Sequence, residues 1–254
     1  VAARPVPLAE AGQFGVLAVD RSSRVVEFAE KPARPEPMPD HPDRALVSMG
    51  NYLFNRQILV DALVDDARRS TEHDFGRSII PELVPTGRVF AYDFQRNEVP
   101  GIKPYEEPGY WRDVGTLEAY WQAHMDLLGE SPRFDLDNRE WPIRCAPFPG
   151  PPARFLGADV DNAHVAEGSL VKRATIRNSI LGRGVWVNEG AVIEDSIVMD
   201  HTTVGKGAKL RRAIIDRFNT IEAGEMVGYD PERDARHHYH VDPSGLVVRA
   251  RGVT

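Results

Sequence analysis

Mixed α/β structure followed by a parallel β-solenoid is the fold class that this 254-residue sequence predicts. Three observations carry it. From Val165 onward the aliphatic residues fall five or six apart, and three such steps sum to 17. This spacing links Ile176 to Ile193, Leu210 and Val227, Leu181 to Val198 and Ile215, and Val187 to Val204 and Ile221. Before residue 130, short apolar runs mix with helical patterns. Between the two halves lies 131–153, where Ser131-Pro132, Trp141-Pro142 and Pro147-Phe148-Pro149-Gly150-Pro151-Pro152 leave too few backbone donors for any regular element.

In the first half, residues 14–20 and 24–30 read as strands joined by the Arg21-Ser22-Ser23 turn. Residues 48–54 and 88–94 read as further strands. Residues 56–67 read as a helix with Ile58, Leu59, Ala62 and Leu63 on one face, and 117–128 as a helix capped by Thr116. The boundaries are 1–130 for the α/β part, 131–153 for the linker, 154–229 for the solenoid and 230–254 for a tail. In the solenoid, apolar spacings of three and four (a helix) or of two (a simple strand) both fail, while glycines recur at the corners, as in Gly182, Gly184, Gly190, Gly205, Gly207 and Gly224. Inward aliphatics of successive coils then stack into one column.

Composition narrows the function classes. Lys plus Arg number 31 against 38 Asp plus Glu, a formal charge of -7, which argues against a nucleic-acid partner. The single cysteine, Cys145, forms no intrachain disulfide and no cysteine-based zinc site, which suits a reducing, cytoplasmic address. No apolar run approaches the roughly 20 residues of a membrane span, and residues 1–7 lack a signal-peptide core.

Three short segments carry candidate chemistry. Glu30-Lys31-Pro32 sets an acid beside a base at a strand end, able to hold sugar hydroxyls and a phosphate, though the same pair also reads as a solvated strand end. Asp113, in Tyr110-Trp111-Arg112-Asp113-Val114-Gly115-Thr116, reads either as a Mg²⁺ ligand beside a phosphate or as a cap on the next helix. His73-Asp74-Phe75-Gly76 reads as a helix-start turn capped by Asp74. Neither a lysine-bearing phosphate loop nor a dinucleotide glycine fingerprint occurs. The run Arg236-His237-His238-Tyr239-His240 matches no standard metal spacing, and Lys206, Lys209, Arg211 and Arg212 read as a solvated face.

Taken in order, Phe14-Gly15-Val16, Phe28-Ala29-Glu30-Lys31-Pro32, Ser48-Met49-Gly50, His73-Asp74-Phe75-Gly76, Tyr110 to Thr116 and Trp141-Pro142-Ile143-Arg144 closely resemble the bacterial glucose-1-phosphate adenylyltransferases. The resemblance runs on through Asp216-Arg217 to Glu232-Arg233-Asp234-Ala235-Arg236. It implies a Rossmann-like nucleotidyltransferase domain, of which this chain carries the C-terminal half, followed by a left-handed parallel β-helix. It also implies transfer of an adenylyl group from ATP to glucose 1-phosphate, giving ADP-glucose and pyrophosphate for glycogen. By the same resemblance Glu30 holds sugar hydroxyls, Lys31 meets the sugar phosphate, and Gly15 and Ser48 are further glucose 1-phosphate contacts. Asp113 is one of two aspartates on the catalytic Mg²⁺. Arg217, with Arg251 as a looser match, belongs to an allosteric site for sugar-phosphate or AMP-type anions, and the complete protein is a homotetramer.

One departure stands against this agreement. The family's Gly-rich ATP loop, base pocket and other Mg²⁺ aspartate have no counterpart in the 254 residues. The expectation is therefore a sugar-phosphate side of the site, inactive alone. Two other readings are a non-catalytic regulatory or assembly subunit, and a hexapeptide-repeat acyltransferase with His164 or His201 as base.

Overall fold

The computed structural model describes residues 1–251. They fall into two units, the first Val1–Glu98 and the second from Val99 onward. The α/β part read from the sequence as 1–130 thus straddles this division.

The first unit is built on β1 (Ala2–Pro7), β2 (Gly15–Val19), β3 (Val25–Glu30) and β4 (Arg44–Ser48). Helices α1 (Arg56–Asp66) and α2 (Ile80–Thr86) and the short strand β5 (Tyr92–Asp93) follow. The sheet order is β3-β2-β4-β1-β5, antiparallel except for the parallel β1/β5 pair at the edge. Asp20 makes the expected hairpin: its Oδ1 accepts from the Ser22 and Arg24 amides at 2.8 and 3.0 Å, while Ser23 takes φ +63°. Period-two alternation sends Leu17 and Leu46 to the face covered by Ile80 and Val84 of α2, and Val16, Ala45 and Val47 to the other face.

Two expected strands need correction. The run 48–54 is not a strand: β4 ends at Ser48, and Gly50 turns the chain at φ +72° with its amide on Ser48 Oγ at 3.2 Å. The run 88–94 keeps only β5 and a bridge from Phe90 to Arg24. Helix α1 is capped by Asn55, which accepts from the Gln57 amide at 3.0 Å. Its expected apolar face is also corrected, because Ile58 is 50% and Leu63 40% exposed while the buried residue is Asp66.

The second unit opens with loops and α3 (Leu117–Met125), where Thr116 Oγ1 accepts from the Ala119 amide as expected. No regular element occurs in 131–153. The solenoid then begins. Its coils are β6 (Arg154–Leu156) and β7 (Asp159–Val165), then β8 (Leu170–Lys172) and β9 (Thr175–Leu181). Next come β10 (Trp186–Val187), β11 (Val192–Glu194) and β12 (Ile197–Val198), then β13 (Thr203–Val204), β14 (Lys209–Arg211) and β15 (Ala213–Ile215), and finally β16 (Thr220–Ile221) and β17 (Met226–Val227).

All of these strands pair in parallel, Ile176 with Ile193 with Leu210 with Val227 and Leu181 with Val198 with Ile215, so the 17-residue reading is the ladder itself. The early steps are shorter, since Val160 pairs with Ile176, Phe155 with Val171 and Val171 with Val187, each 16 residues apart. The stacked aliphatics are 0 or 1% exposed. Each such burial is worth roughly 1.5–3 kcal/mol, which makes the column the main source of stability here.

The expected tail is partly solenoid. After α4 (Pro231–Arg236) and β18 (His240–Val241), strand β19 (Val247–Arg249) returns to pair in parallel with β15. No helix among the described residues is long and apolar enough to cross a membrane.

Candidate active site

Strand register gathers three of the predicted contacts. Gly15 pairs with Glu30 across β2/β3, and Val16 pairs with Val47 across β2/β4, so Gly15, Glu30 and Ser48 share one end of the sheet. Only glycine fits beside the carboxylate, because a Cβ on Gly15 would stand 2.8 Å from Glu30 Oε2 and 2.5 Å from Phe28 Cζ. Gly76 fences the same oxygen from the other side, where a Cβ would lie 2.5 Å away. Asp74 fixes that glycine: its Oδ1 accepts from the Gly76 and Arg77 amides at 2.8 and 2.9 Å, which is the expected cap of the turn Phe75–Ile79.

Burial raises the Glu30 pKa first and the Asp74 charge raises it further, while Lys31 and Arg77 pull it down. Lys31 takes φ +46°, its amide donates to the Phe14 carbonyl at 3.0 Å, and its side chain is exposed. Ser48 is buried, with Oγ 3.5 Å from the Tyr52 hydroxyl, and the Tyr52 ring stacks on Phe75 at 5.5 Å. Sequence reading had no place for Tyr52, Phe75 or Gly76 in the site. The one signal was the His73-Asp74-Phe75-Gly76 run, which local pattern explains as a turn. Behind it His73 Nδ1 meets Asp66 Oδ2 at 2.7 Å, and Thr71 donates to Asp66 Oδ1 at 2.6 Å.

A hollow of about 980 Å³ in the same unit lies among Tyr52, Phe54, Ile58, Leu83, Phe90 and Phe94. None of Gly15, Glu30, Lys31 and Ser48 lines it. Its walls also carry Arg24, Asn51, Asn55 and Arg88, but the sheet end gathers three of the predicted contacts and is the better candidate.

Asp113 belongs to the second unit. Arg112 holds the segment: its guanidinium meets both Glu107 oxygens at 2.9 and 2.6 Å and Asp126 Oδ2 at 2.9 Å, and lies 4.3 Å from the Tyr110 ring centre. Burial, then the Asp126 charge, push the Tyr110 hydroxyl up to about 12. Asp113 itself is exposed. The cap of α3 is Thr116, so the cap reading of Asp113 falls. Mg²⁺ is a hard cation that takes one or two protein carboxylates and completes its shell with waters and substrate phosphates. An exposed aspartate fits that mode, whereas the described residues hold no group of three or more His, Cys, Asp or Glu able to cage a metal by themselves.

Arg217 and Arg251, 34 positions apart in sequence, meet at one carboxylate. Asp216 accepts the Arg217 amide at 2.7 Å and the Arg251 amide at 3.2 Å, and Arg217 Nε lies 3.6 Å from Oδ1. The Arg251 guanidinium covers the Phe218 ring at 4.8 Å. The two acyltransferase candidates have other partners: His164 donates Nε2–H to the Leu127 carbonyl at 3.0 Å, and His201 stacks on Phe218 at 5.2 Å. Of the basic run, Lys206 lies 3.7 Å from Glu189, while Arg211 covers Tyr229 and Arg212 covers Trp121.

A nucleotidyl transferase family model matches residues 1–130, just over half of the chain. The chain belongs to the nucleotidyl transferase family. A second model, described as GlmU-like, C-terminal hexapeptide, matches residues 151–249 and covers the solenoid. The nucleotidyl transferase assignment agrees with the relatives. The chain is 48% identical over 252 residues to a glucose-1-phosphate adenylyltransferase of Thermodesulfovibrio yellowstonii, covering 99% of this chain and 61% of that protein. It is 44% identical to the enzyme of that name from Photobacterium profundum (99% and 63% covered) and 41% identical to that of Corynebacterium jeikeium (100% and 63%). The chain thus spans about three fifths of the length of these curated relatives.

Proposed function

We propose that this chain carries the sugar-phosphate half of a glucose-1-phosphate adenylyltransferase. The observation that carries the reading is the meeting of Gly15, Glu30 and Ser48 at one sheet end, with Gly76 holding the other side of the Glu30 carboxylate. In the whole protein, the phosphate oxygen of glucose 1-phosphate attacks the α-phosphorus of ATP, forming ADP-glucose and releasing pyrophosphate. No covalent protein nucleophile is needed, so catalysis rests on positioning and charge neutralisation.

Each residue then has a role. Glu30, ionised, accepts from sugar hydroxyls. Lys31 meets the sugar phosphate. Gly15 and Gly76 leave the carboxylate its space, and Ser48 extends the contact surface together with Tyr52. Asp113 is the carboxylate assigned to Mg²⁺, which when bound neutralises phosphate charge. Arg217 and Arg251 bind an anionic effector of the sugar-phosphate or AMP type. The whole protein is a homotetramer of the bacterial cytoplasm, in keeping with the bacterial sources of its relatives and the lone exposed Cys145.

Because the chain spans three fifths of its relatives and has no counterpart of the Gly-rich ATP loop, the 254-residue chain alone is expected to release little or no pyrophosphate from ATP and glucose 1-phosphate. Robust turnover by it would overturn that expectation. In a complete protein, Lys31→Ala raises KM for glucose 1-phosphate well above any change in KM for ATP, and equal changes in both would remove its assigned role.

A further inference from the structure

The first unit holds a buried carboxylate that the roles given above do not use. Asp66, 4% exposed, ends helix α1, and two groups from the following loop meet it. Thr71 donates its hydroxyl to Oδ1 at 2.6 Å, and His73 donates Nδ1–H to Oδ2 at 2.7 Å. These hydrogen bonds, Thr71 first and His73 second, hold the Asp66 carboxyl below its usual range. An ionised carboxylate only accepts, so the ring nitrogen that faces it carries the proton. The Thr71 hydroxyl in turn accepts from the His73 amide at 3.3 Å. His73 is thus tied to α1 by its ring and to Thr71 by its backbone.

This tie restrains an unfavourable conformation. His73 takes φ +54°, the left-handed region that is costly for a residue with a Cβ. Asp74 follows in extended backbone, and the chain then enters a wide turn in which the Ile79 amide reaches back five residues to the Asp74 carbonyl at 3.2 Å. Turns of that width are rare and concentrate at functional sites. The turn packs on both α1 and β3. It brings Gly76 so close to Glu30 that a Cβ on the glycine would stand 2.5 Å from Oε2 and 3.0 Å from Cδ. Gly76 lies three residues beyond His73, so a backbone rotation at His73 swings it away from the carboxylate.

We propose that Asp66 and His73 are positioning residues for the sugar-phosphate end of the sheet: their hydrogen bond fixes the left-handed His73 and, through the turn, holds Gly76 against Glu30. The inference rests on the role given above to Glu30. Both residues act through Asp74 and Gly76 rather than on the reacting atoms. The charged groups that face Glu30 are Lys31 beside it and Asp74 and Arg77 on the turn. Arg77 is itself braced across the loop by Glu72 at 2.5 Å.

The test reads Glu30 directly. In the 254-residue chain carrying ¹³C-labelled glutamate, the Glu30 carboxyl resonance is identified by its loss in Glu30→Gln and followed through a pH titration. The parent titrates above the ordinary glutamate range. His73→Ala, at a half-exposed side chain, returns the midpoint toward that range, because the turn carrying Asp74 moves off. Asp66→Asn, which keeps the buried volume, shifts it in the same direction by less. His73→Gly behaves like His73→Ala, since glycine accepts the left-handed backbone but offers no side-chain donor. His73→Asn restores the parent midpoint, because asparagine tolerates that backbone and supplies an amide donor. Ile193→Ala, which lowers stability in the second unit, leaves the Glu30 midpoint in place and controls for a general loss of stability.

In the complete protein His73→Ala raises KM for glucose 1-phosphate about tenfold, the size of one hydrogen bond to a charged group, with KM for ATP and kcat within about twofold. A Glu30 midpoint that stays put in both His73→Ala and Asp66→Asn overturns the proposal. Parental behaviour of His73→Gly also overturns it, because the backbone turn alone then suffices. A shifted midpoint with an unmoved KM for glucose 1-phosphate leaves the tie standing and overturns the sugar role of Glu30, so the two failures are told apart.

Discussion

Oε2 of Glu30 lies where a methyl group on Gly76 would stand 2.5 Å from it, although the two residues are 46 positions apart in sequence. Gly76→Ala therefore pushes the carboxylate aside. The end of a glutamate side chain moves cheaply, so the stability loss is about 1 kcal/mol or less. On the role proposed for Glu30, the loss falls on sugar binding. In the complete protein KM for glucose 1-phosphate rises with KM for ATP little changed, and calorimetry records a Tm close to that of the parent.

Glu30 also sets a pH dependence. Its folded-state pKa is raised, by burial and then by Asp74, so the folded chain holds this proton more tightly than the unfolded one. The favourable contribution is full below the ordinary glutamate range and is lost as pH rises through the raised value. Glu30→Gln, which cannot ionise, should match the parent Tm at low pH and exceed it above that window. A Tm difference independent of pH would contradict the sign. Activity of the complete protein should fall on the acid side earlier than an ordinary glutamate would cause, because the role proposed for Glu30 toward sugar hydroxyls needs the ionised form.

Trp121 anchors α3 by area and by one hydrogen bond, its indole N–H to the Asp195 carbonyl at 2.8 Å, and two substitutions separate these. Trp121→Ala removes both and costs about 3–5 kcal/mol, read as a lower urea midpoint of the second unit. Trp121→Phe keeps most of the ring packing and costs less, near the ~1–3 kcal/mol of leaving the Asp195 carbonyl unpaired.

Within the column, Ile193 lies between Ile176 and Leu210 and is 0% exposed. Ile193→Ala is expected to cost about 2–5 kcal/mol. Hydrogen exchange should spread outward from that coil, because each coil of a solenoid leans only on its neighbours.

Asp216→Asn tests the anion site proposed at Arg217 and Arg251. The amide keeps an acceptor for the backbone donors but removes the negative charge beside Arg217. Phosphate binding should tighten roughly threefold or more, since a competing charge-assisted partner is gone. Unchanged or weaker binding, measured by titration calorimetry, would argue that the two arginines do not form the site.

The solenoid was legible in the sequence because its geometry repeats. Once Ile193 is placed inward, Leu210 and Val227 are fixed by the same turn of the chain. The first unit repeats nothing, and local composition misled there. Tyr52, Leu53 and Phe54 look like strand, yet Gly50 has already turned the chain away from the sheet. Strand β4, by contrast, begins only at Arg44, after the Pro- and Asp-rich run that conceals it. The resemblance supplied Gly15, Glu30 and Ser48. It could not supply Gly76 as a neighbour of Glu30, or Asp216 as the meeting point of Arg217 and Arg251, because those relations exist only after folding.

Strand β19 has a consequence for how this solenoid tolerates change. Val247 pairs with Ala213 and Val248 with Ile214, an offset of 34 residues, twice the repeat. The polypeptide leaves the stack after β17, makes α4 and β18, and rejoins it after one whole repeat length with its phase intact. Such a solenoid behaves like text with a parenthesis: whatever is inserted, the reading resumes if the strand that follows is in step. Foreign segments spliced between residues 228 and 246 should therefore be judged by whether β19 re-enters in register rather than by their length.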